Sequence, residues 1–279
     1  MIFLRLLRAL FPPRAKRLLK RIWDPNQSLP RPSRLDFRWF RHDRETHGAT
    51  VVMVTHNALE YTRACLTSLG DTDIVVVDNA STDGTLEFLR ERGVHVIANE
   101  HNEGFPAAVN RGVDATHANV IVLLNNDTIV PPGTLTRLVR HALVPEIGIV
   151  VASTNYAGNE SRVDIDYSSL DEMLAFAEKL AREHEGDRFD LGSATMYCVA
   201  LRRDVFDRVG PLDERFTIGT FEDKDYSERI RRAGLRVVCA ADAFVHHYGS
   251  ASFEKIPQRE YWELFERNQR LFEEKWKDT

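Results

Sequence analysis

The sequence has few of the features that indicate a disulfide-stabilised, zinc-binding or membrane-spanning protein. Its three cysteines, Cys65, Cys198 and Cys239, are far apart and follow no metal-ligand spacing, which argues against a disulfide framework or a zinc cluster. No apolar run reaches the roughly 18 to 20 residues of a membrane helix, because Arg5 and Arg8 interrupt the first candidate. The same arginines argue against a signal peptide. We therefore expect a protein of a reducing, cytoplasmic compartment.

Two phosphate-binding motifs and an excess of positive charge are also absent. The first β-rich run, residues 50–55, is not followed by Gly-x-Gly-x-x-Gly, which speaks against a dinucleotide cofactor. No Gly-x-x-x-x-Gly-Lys-Ser/Thr occurs, so a P-loop nucleoside triphosphatase is excluded. With 37 basic and 42 acidic residues the chain carries a formal charge of −5, which argues against a nucleic-acid-binding protein. Its 279 residues, 43% of them apolar, suffice for one large domain or two small ones.

The charge is distributed unevenly along the chain. Residues 1–50 contain 12 Lys and Arg against 4 Asp and Glu, a net charge of +8, which leaves −13 for the rest of the total of −5. Within residues 1–23, leucines at helical spacing precede Pro12-Pro13 and a run of basic residues. This arm is predicted either to lie on an anionic membrane surface, peripheral to its inner face, or to pack on the domain or a partner. Residues 24–47, which are rich in proline, are predicted to form an extended linker.

From residue 49 onward, short apolar runs alternate with segments of helical pattern. The apolar runs, which predict strands, are residues 50–55, 74–77, 94–98 and 120–124. The helical segments between them are residues 61–69, 85–92 and 105–115. Because the runs are continuously apolar, we expect an α/β fold with a doubly wound, mostly parallel sheet covered by helices on both faces. Ligands of such sheets bind beyond the carboxyl ends of the strands.

Polar residues follow three of these predicted strands directly. They are Thr55-His56-Asn57, Asp78 to Thr85, and Asn125-Asn126-Asp127. Residues 81–85 are explained as a turn and helix cap. Asp78 is not, because a carboxylate at the end of a buried strand needs a hydrogen-bond donor, and a nucleobase imide or a ribose hydroxyl is such a donor.

Further motifs follow these segments along the chain. In order, the sequence contains residues 55–57 with 65–69, residues 78–85, the Asn-x-Gly-x-x-x-x-x-Asn-x-Gly pattern of residues 102–112, residues 221–234, residues 247–252, and residues 268–276. Taken together across residues 49–276, these motifs resemble the inverting family 2 glycosyltransferases with the GT-A fold, in the rhamnosyltransferase-like, polysaccharide-biosynthesis branch. The resemblance implies a Rossmann-like GT-A domain at 48–256, preceded by the basic arm and linker at 1–47. Its nucleotide-binding half is 48–130, its acceptor-binding half is 131–256, and an amphipathic helix at 257–279 follows.

The resemblance also implies which residues bind the nucleotide and a metal. The nucleotide-binding residues it implies are Thr55, Asn57, Asp78, Asn79, Ser81, Asn102, Gly104, Asn110 and Asn126. Asp127 is the last carboxylate of a position where the family has Asp-x-Asp, and it is predicted to hold Mn²⁺ or Mg²⁺, which prefer oxygen ligands. The resemblance supplies His247 as a further ligand, with His246 as the alternative. Without a metal, Asp127 is a turn residue, and the histidines bond to backbone.

Glycosyl transfer with inversion needs a base on the acceptor, and three acids fall within four positions. The resemblance favours Asp223 as the base, with Glu222 contacting the acceptor or donor sugar. On a helix, Glu222 and Asp223 point in different directions whereas Glu222 and Asp225 share a face, so the acids need not serve one function. Asp225, Gly192 and Ser193 are expected, through the resemblance, to lie at the acceptor or donor sugar. The alternative is that the acids only favour the helix N-terminus.

The function implied is transfer of one sugar from a UDP-sugar or dTDP-rhamnose to a glycan or lipid-linked acceptor in bacterial surface polysaccharide synthesis. Two alternatives remain open at this point. One is a non-catalytic module that binds nucleotide sugars, which the reduced Asn125-Asn126-Asp127 motif favours. The other is a sugar-phosphate nucleotidyltransferase, which needs a Gly-rich triphosphate loop that residues 55–60 lack.

Overall fold

The computed structural model describes residues 29–38, 40, 48–249 and 258–277. The predicted amphipathic arm at residues 1–23 lies outside this set. Strands in the described part are β1 (Ala49–Thr55), β2 (Ile74–Asp78), β3 (His95–Ala98), β4 (Val120–Asn125), β5 (Thr128–Ile129), β6 (Ile147–Thr154), β7 (Arg188–Asp190), β8 (Cys198–Arg202) and β9 (Arg236–His247). Helices are α1 (Leu59–Leu69), α2 (Thr85–Arg92), α3 (Phe105–Asp114), α4 (Thr134–Ala142), α5 (Leu170–Glu183), α6 (Arg203–Val209), α7 (Glu222–Arg232) and α8 (Gln258–Trp276).

The strands form one mixed sheet in the order β3-β2-β1-β4-β8-β6-β9-β5, with β7 also paired to β9. Strands β3, β2, β1 and β4 run parallel, whereas β8 is antiparallel to both of its neighbours, β4 and β6. All residues of β2 and β6 are buried, as expected for strands covered on both faces. The α/β fold predicted from the alternating runs is therefore confirmed, and the predicted bounds of β1 to β4 and α1 to α3 agree within two residues.

Helix α5 shows how closely local sequence signals fit the fold. The Ser169 hydroxyl accepts a hydrogen bond from the Glu172 backbone N–H, and the Glu172 carboxylate accepts one from the Ser169 N–H in return. This reciprocal pair is a capping box, which satisfies two backbone donors that a helix start leaves free. The helix packs through Leu170 and Met173 on strand β9.

The described part of residues 24–47 differs from the extended linker that its prolines predict. Leu29 is 3% exposed, and Phe40 is also buried. Both join a second apolar cluster with residues of α5 and β9, which is separate from the main core on strands β1, β2, β4 and β6. The Tyr248 hydroxyl donates a hydrogen bond to the Pro30 carbonyl, 3.1 Å away. The segment also contains a 3₁₀ turn, Pro32–Arg34, that contacts α1. This stretch packs on the domain because its apolar side chains are buried against the apolar surface there.

Candidate active site

The carboxyl ends of β1, β2 and β4 meet at one edge of the sheet, as parallel pairing requires. Thr55 is in register with Asp78 on β2, and Val54 is in register with Asn125 on β4. The three polar segments found in the sequence are therefore neighbours in space.

Asp78 is fully buried at this edge, and its two carboxylate oxygens differ. Oδ2 accepts a hydrogen bond from the Ser81 N–H at 3.0 Å. Oδ1 is buried and has no hydrogen-bond partner within the described residues. A buried acceptor without a partner costs roughly 1 to 3 kcal/mol, so a ligand that brings an N–H or O–H donor to Oδ1 recovers this energy.

Asn57 and Ser81 join the loops that follow β1 and β2. The Asn57 backbone, at a left-handed φ of 62°, donates its N–H to the Ser81 hydroxyl at 2.7 Å. The Asn57 side-chain oxygen accepts from the Thr82 N–H at 2.8 Å. These bonds fix the two loops against each other beside Asp78. The nucleotide contacts predicted for both residues remain predictions.

Asn79 and Asn102 are occupied by bonds within the protein. The Asn79 amide donates to the Gly104 carbonyl at 3.1 Å, and its oxygen accepts from the Asn99 amide at 2.7 Å. Asn102 Oδ1 accepts from the Gly104 N–H at 3.0 Å. Their side chains thus support the loop before α3. The sequence pattern alone could not distinguish this supporting role from direct contact with a nucleotide.

Gly104 and Asn110 tie this loop to a distant segment of the chain. A β-carbon on Gly104, whose φ is +87°, would lie 2.4 Å from the Thr217 carbonyl oxygen, so only glycine fits there. The Asn110 amide donates to the Leu212 carbonyl at 2.9 Å, and its oxygen accepts from the Leu212 N–H at 2.8 Å. The predicted nucleotide-binding half is thereby attached to the segment that precedes α7.

Asn126 is a buried support for the residue that follows it. Its amide donates to the hydroxyls of Thr55 at 3.2 Å and Thr62 at 2.9 Å. These bonds hold the turn after β4 on β1 and α1, and they fix the backbone that presents Asp127. Asn126 and Thr55 therefore bond to each other within the protein.

Asp127 and His247 form a pair in which two electron-pair donors face each other. His247 Nδ1 must carry the hydrogen, because it bonds to the Tyr156 carbonyl (3.1 Å), which can only accept. Nε2 therefore faces Asp127 Oδ1, 3.2 Å away, and a proton or a cation between them satisfies both. Burial opposes the charged imidazolium of His247, but the Asp127 carboxylate and the Tyr156 carbonyl outweigh it and raise its pKa. An imidazole nitrogen and a carboxylate oxygen are a donor set that suits Mn²⁺.

The aromatic surroundings of His247 were not foreseen from the sequence. The Tyr197 ring stacks on its imidazole with centroids 5.2 Å apart, and the Tyr156 ring meets its edge at 5.7 Å. The Asn155 side chain bonds both the N–H and the carbonyl of His247, at 2.7 and 3.1 Å. No local pattern marks these residues, since they lie 50 to 92 positions from His247 in the chain.

His246 points to the opposite side of β9, as alternation along a strand requires. Its Nδ1 shares a hydrogen bond of 2.8 Å with the Tyr167 hydroxyl in the second apolar cluster. Burial, together with the neighbouring His247, lowers the pKa of His246 to about 3, so the ring is neutral. Of the two predicted ligands, only His247 faces Asp127. In the ranges that the structure describes, no cluster of three or more His, Cys, Asp or Glu side chains is arranged to hold a metal ion.

Helix α7 begins with an acidic pair, the buried Glu222 and the half-buried Asp223. Burial and the neighbouring Asp223 carboxylate raise the pKa of Glu222 to about 8, and its Oε2 atom has no partner within the described residues. Burial also raises the pKa of Asp223. The hydrogen bond that the Lys224 N–H donates to this carboxylate, 2.7 Å long, lowers the pKa but does not cancel the effect of burial. Glu222 is therefore held protonated near neutral pH, beside an Asp223 carboxyl whose pKa is also raised.

Asp225, one helical turn after Glu222, is bonded within the protein. Its carboxylate is fully buried and bonds to Arg229 (3.0 Å), Lys275 (2.7 Å) and Trp276 (3.1 Å), the last two in α8. The structure thus places the predicted sugar contact in an ion-pair network between helices α7 and α8.

Gly192 and Ser193 lie in the turn before β8. The Gly192 carbonyl accepts from Arg231 at 2.7 Å, and the Ser193 carbonyl accepts from the Asn159 amide at 2.8 Å. A β-carbon on Gly192 would meet no atom within 4 Å, so its glycine is not required by packing. The role predicted for the pair remains a prediction.

The sequence profile of the family described as "Glycosyl transferase family 2" matches residues 50–210. This stretch contains the donor-side loops, Asp127 and the turn before β8. The chain belongs to glycosyl transferase family 2, and its fold is the GT-A fold, as the sequence resemblance implied.

Known relatives and solved structures agree with this family. The chain is 28% identical to "O-antigen biosynthesis protein RfbC" of Myxococcus xanthus, a match that covers 68% of this chain and 16% of that protein. It thus spans about one sixth of that relative's length. One similar solved structure is "GalNAc-T7 with UDP, GalNAc and Mn2+", with a TM-score of 0.58 and 18% identity over 81% of this chain and 50% of that chain. Another is a mannosyltransferase, PcManGT from Pyrobaculum calidifontis, with GDP-Man and Mn²⁺. Its TM-score is 0.56, with 18% identity over 85% of this chain and 66% of that chain. Within the described ranges, no helix combines the length and hydrophobicity needed to cross a bilayer.

Proposed function

We propose that the chain transfers one sugar from a nucleoside-diphosphate donor to a glycan or lipid-linked acceptor, with inversion at the anomeric carbon. The Glu222–Asp223 pair is the observation that carries this proposal. Glu222 is buried, its Oε2 atom has no partner within the described residues, and the half-buried Asp223 follows it directly. Adjacent carboxyls of this kind are typical of acid–base chemistry.

Asp78 is proposed to recognise the nucleobase. Its unpartnered Oδ1 accepts the imide N–H that uracil and thymine share, so UDP-sugars and dTDP-rhamnose are both suitable donors. Asn57 and Ser81, which border the same carboxylate, are proposed to line the nucleotide site. This part of the chain binds and orients the donor.

Asp127 and His247 are proposed to hold a divalent cation, Mn²⁺ or Mg²⁺. Their facing oxygen and nitrogen atoms fit such an ion, and further ligands would come from the donor diphosphate and water. When bound, the ion supplies positive charge beside the leaving diphosphate. The manganese named in the two neighbouring structures supports this assignment.

Asp223 is proposed as the base for the acceptor. Its carboxylate takes the proton of the acceptor hydroxyl while that oxygen forms a bond to the anomeric carbon. The bond from this carbon to the diphosphate oxygen breaks, and the electron pair leaves with the nucleoside diphosphate. Because attack and departure occur on opposite sides of the carbon, the configuration inverts. The protonated Glu222 donates a hydrogen bond to a sugar hydroxyl.

The proposed setting is bacterial surface polysaccharide synthesis at the inner face of the membrane. The similarity to a protein named for O-antigen biosynthesis supports it. The basic character of residues 1–50 is consistent with an acceptor that is carried on a lipid.

A panel of nucleotide sugars tests the function. Purified protein is incubated with UDP-glucose, UDP-galactose, UDP-GlcNAc or dTDP-L-rhamnose and Mn²⁺, and released UDP or dTDP is measured with and without excess EDTA. We expect release from at least one donor, with loss of activity in EDTA. Asp204→Asn, a change of an exposed carboxylate on α6, is the control and should leave the rate unchanged. Release from no donor would contradict the proposal and favour a binding module, and release that persists in EDTA would remove the metal from it.

A further inference from the structure

The turn that precedes the acidic pair has a backbone conformation that its own residues do not favour. Thr217, Thr220 and Phe221 have positive φ angles of 44°, 76° and 70°. Such angles cost a non-glycine residue roughly 1 kcal/mol or more each, so contacts with other elements must hold them. Since Phe221 is the residue before Glu222, this turn decides how α7 presents its first carboxyls.

Asn268 of helix α8 bonds to this turn at three carbonyls. Its Nδ2 donates to Phe216 O (2.8 Å), Gly219 O (2.9 Å) and Thr220 O (3.2 Å). The residue is fully buried. Its Oδ1 accepts from the Arg267 guanidinium at 3.0 Å, which orients the amide with its hydrogens toward the turn.

Two further contacts fix α8 along the same stretch. The Phe221 ring packs against Phe265 and Phe272 of α8, with centroids 5.1 and 5.7 Å apart. One turn of α7 further on, Asp225 bonds to Lys275. These contacts attach α8 to the turn and to α7, and Asn268 is the polar member that satisfies the backbone of the turn itself.

The opposite side of the turn contacts the donor half of the site. The Thr217 carbonyl accepts from the Phe105 N–H at 3.1 Å, and the close approach at Gly104 leaves no room for a side chain. The turn is therefore held between the loop before α3 and helix α8. Asn268 itself bonds to none of the donor-side residues.

We propose that Asn268 is a positioning residue for the acidic pair: by bonding three carbonyls of residues 216–220, it fixes the turn that presents Glu222 and Asp223 to the acceptor. The proposal rests on the proposed function, in which these carboxyls act on the acceptor. Asn268 touches neither substrate, so its loss should slow the transfer step and leave donor binding intact. Misplacement of a catalytic group by about 1 Å can cost roughly 10²-fold in rate.

Asn268→Asp and Asn268→Ala, with Gln269→Ala as control, test this role. Asn268→Asp keeps the size and an oxygen for Arg267 but loses both amide hydrogens, whereas Asn268→Ala removes the whole group. Gln269 is the exposed neighbour on α8 and bonds only within the helix, to Glu273. The measurements are UDP affinity by calorimetry, kcat and KM for the best donor of the panel, and hydrogen exchange of the peptide covering 216–223.

For both Asn268 variants we expect kcat to fall at least about tenfold, with KM and UDP affinity within about twofold of wild type. Exchange at 216–223 should accelerate in both, and Gln269→Ala should match the wild type throughout. A folded Asn268→Asp with wild-type kcat would overturn the proposal, as would equal losses in kcat and UDP affinity. If the wild type turns over no donor, the proposed function fails. Hydrogen exchange at 216–223 in the Asn268 variants then still shows whether Asn268 holds the turn. Exchange equal to that of the wild type would overturn this role of Asn268.

Discussion

Glu222→Gln should change the pH dependence of stability in a way that follows directly from the burial of this carboxyl. The pKa of Glu222 is about 8 in the folded chain against an ordinary value of 4.5. Between these values the folded state keeps a proton that the unfolded state has lost. The stabilisation is therefore complete below pH 4.5 and is lost as the pH rises toward 8, at about 1.4 kcal/mol per pH unit.

From pH 5 to pH 7 this loss amounts to about 2 to 3 kcal/mol in the wild type. Glutamine has the shape of the protonated side chain and does not titrate, so Glu222→Gln should gain that much stability relative to the wild type over this interval. For a chain of this size the gain corresponds to a relative shift of roughly 5 to 10 °C in Tm. Urea unfolding followed by circular dichroism at pH 5, 6 and 7 measures it.

Glu228→Gln is the matched control on the same helix. Glu228 is partly exposed, and its bonds to Arg232 and Arg231 lower its pKa, so it is ionised in both states throughout this interval. For Glu228→Gln, the free energy of unfolding should therefore change with pH in the same way as that of the wild type. If the free energy of unfolding of Glu222→Gln has the same pH dependence as that of the wild type, Glu222 is not held protonated, and the raised pKa assigned to its carboxyl is wrong.

Three further predictions concern other parts of the chain. Asp78→Ala should weaken UDP binding measured by calorimetry by about 1.5 to 3 kcal/mol, the value of a hydrogen bond to a charged group, and unchanged affinity would remove Asp78 from the nucleotide site. Asp225→Ala should lower the free energy of unfolding by about 3 kcal/mol while UDP affinity stays normal, because Arg229 loses its carboxylate partner and Lys275 keeps only Asp213. A variant of normal stability that has lost turnover would restore Asp225 as a sugar contact. The full chain should float with anionic liposomes at low salt and lose this binding without residues 1–23, and a chain that ignores such vesicles contradicts the membrane interpretation.

Much of the fold could be predicted because its signals are local. The runs at residues 74–77 and 120–124 are continuously apolar, and the strands they predict extend by one residue at most. Strand β7, in contrast, consists of Arg188, Phe189 and Asp190, all exposed, and exists through its pairing with β9. No local pattern distinguishes such a strand from a loop.

The candidate site divides in the same way. Asp78 could be singled out because it directly follows an apolar run, and Asp127 because the resemblance places it at the family's Asp-x-Asp position. Helical spacing places Asp225 on the face of Glu222, but it does not reveal the Asp225 partners Lys275 and Trp276, which belong to a helix about 50 positions further along. Contacts of that kind depend on how the elements pack, and the sequence pattern carries no signal for them.

The most direct test of the account separates donor binding from proton removal in Asp223→Asn. The substitution keeps the shape of the side chain but removes the base, so we expect nucleoside diphosphate release at saturating donor and Mn²⁺ to fall by about 10² to 10⁴-fold. UDP affinity in Mn²⁺, measured on the same preparation, should equal that of the wild type. Near-normal release by Asp223→Asn would contradict the account and assign the base to another residue.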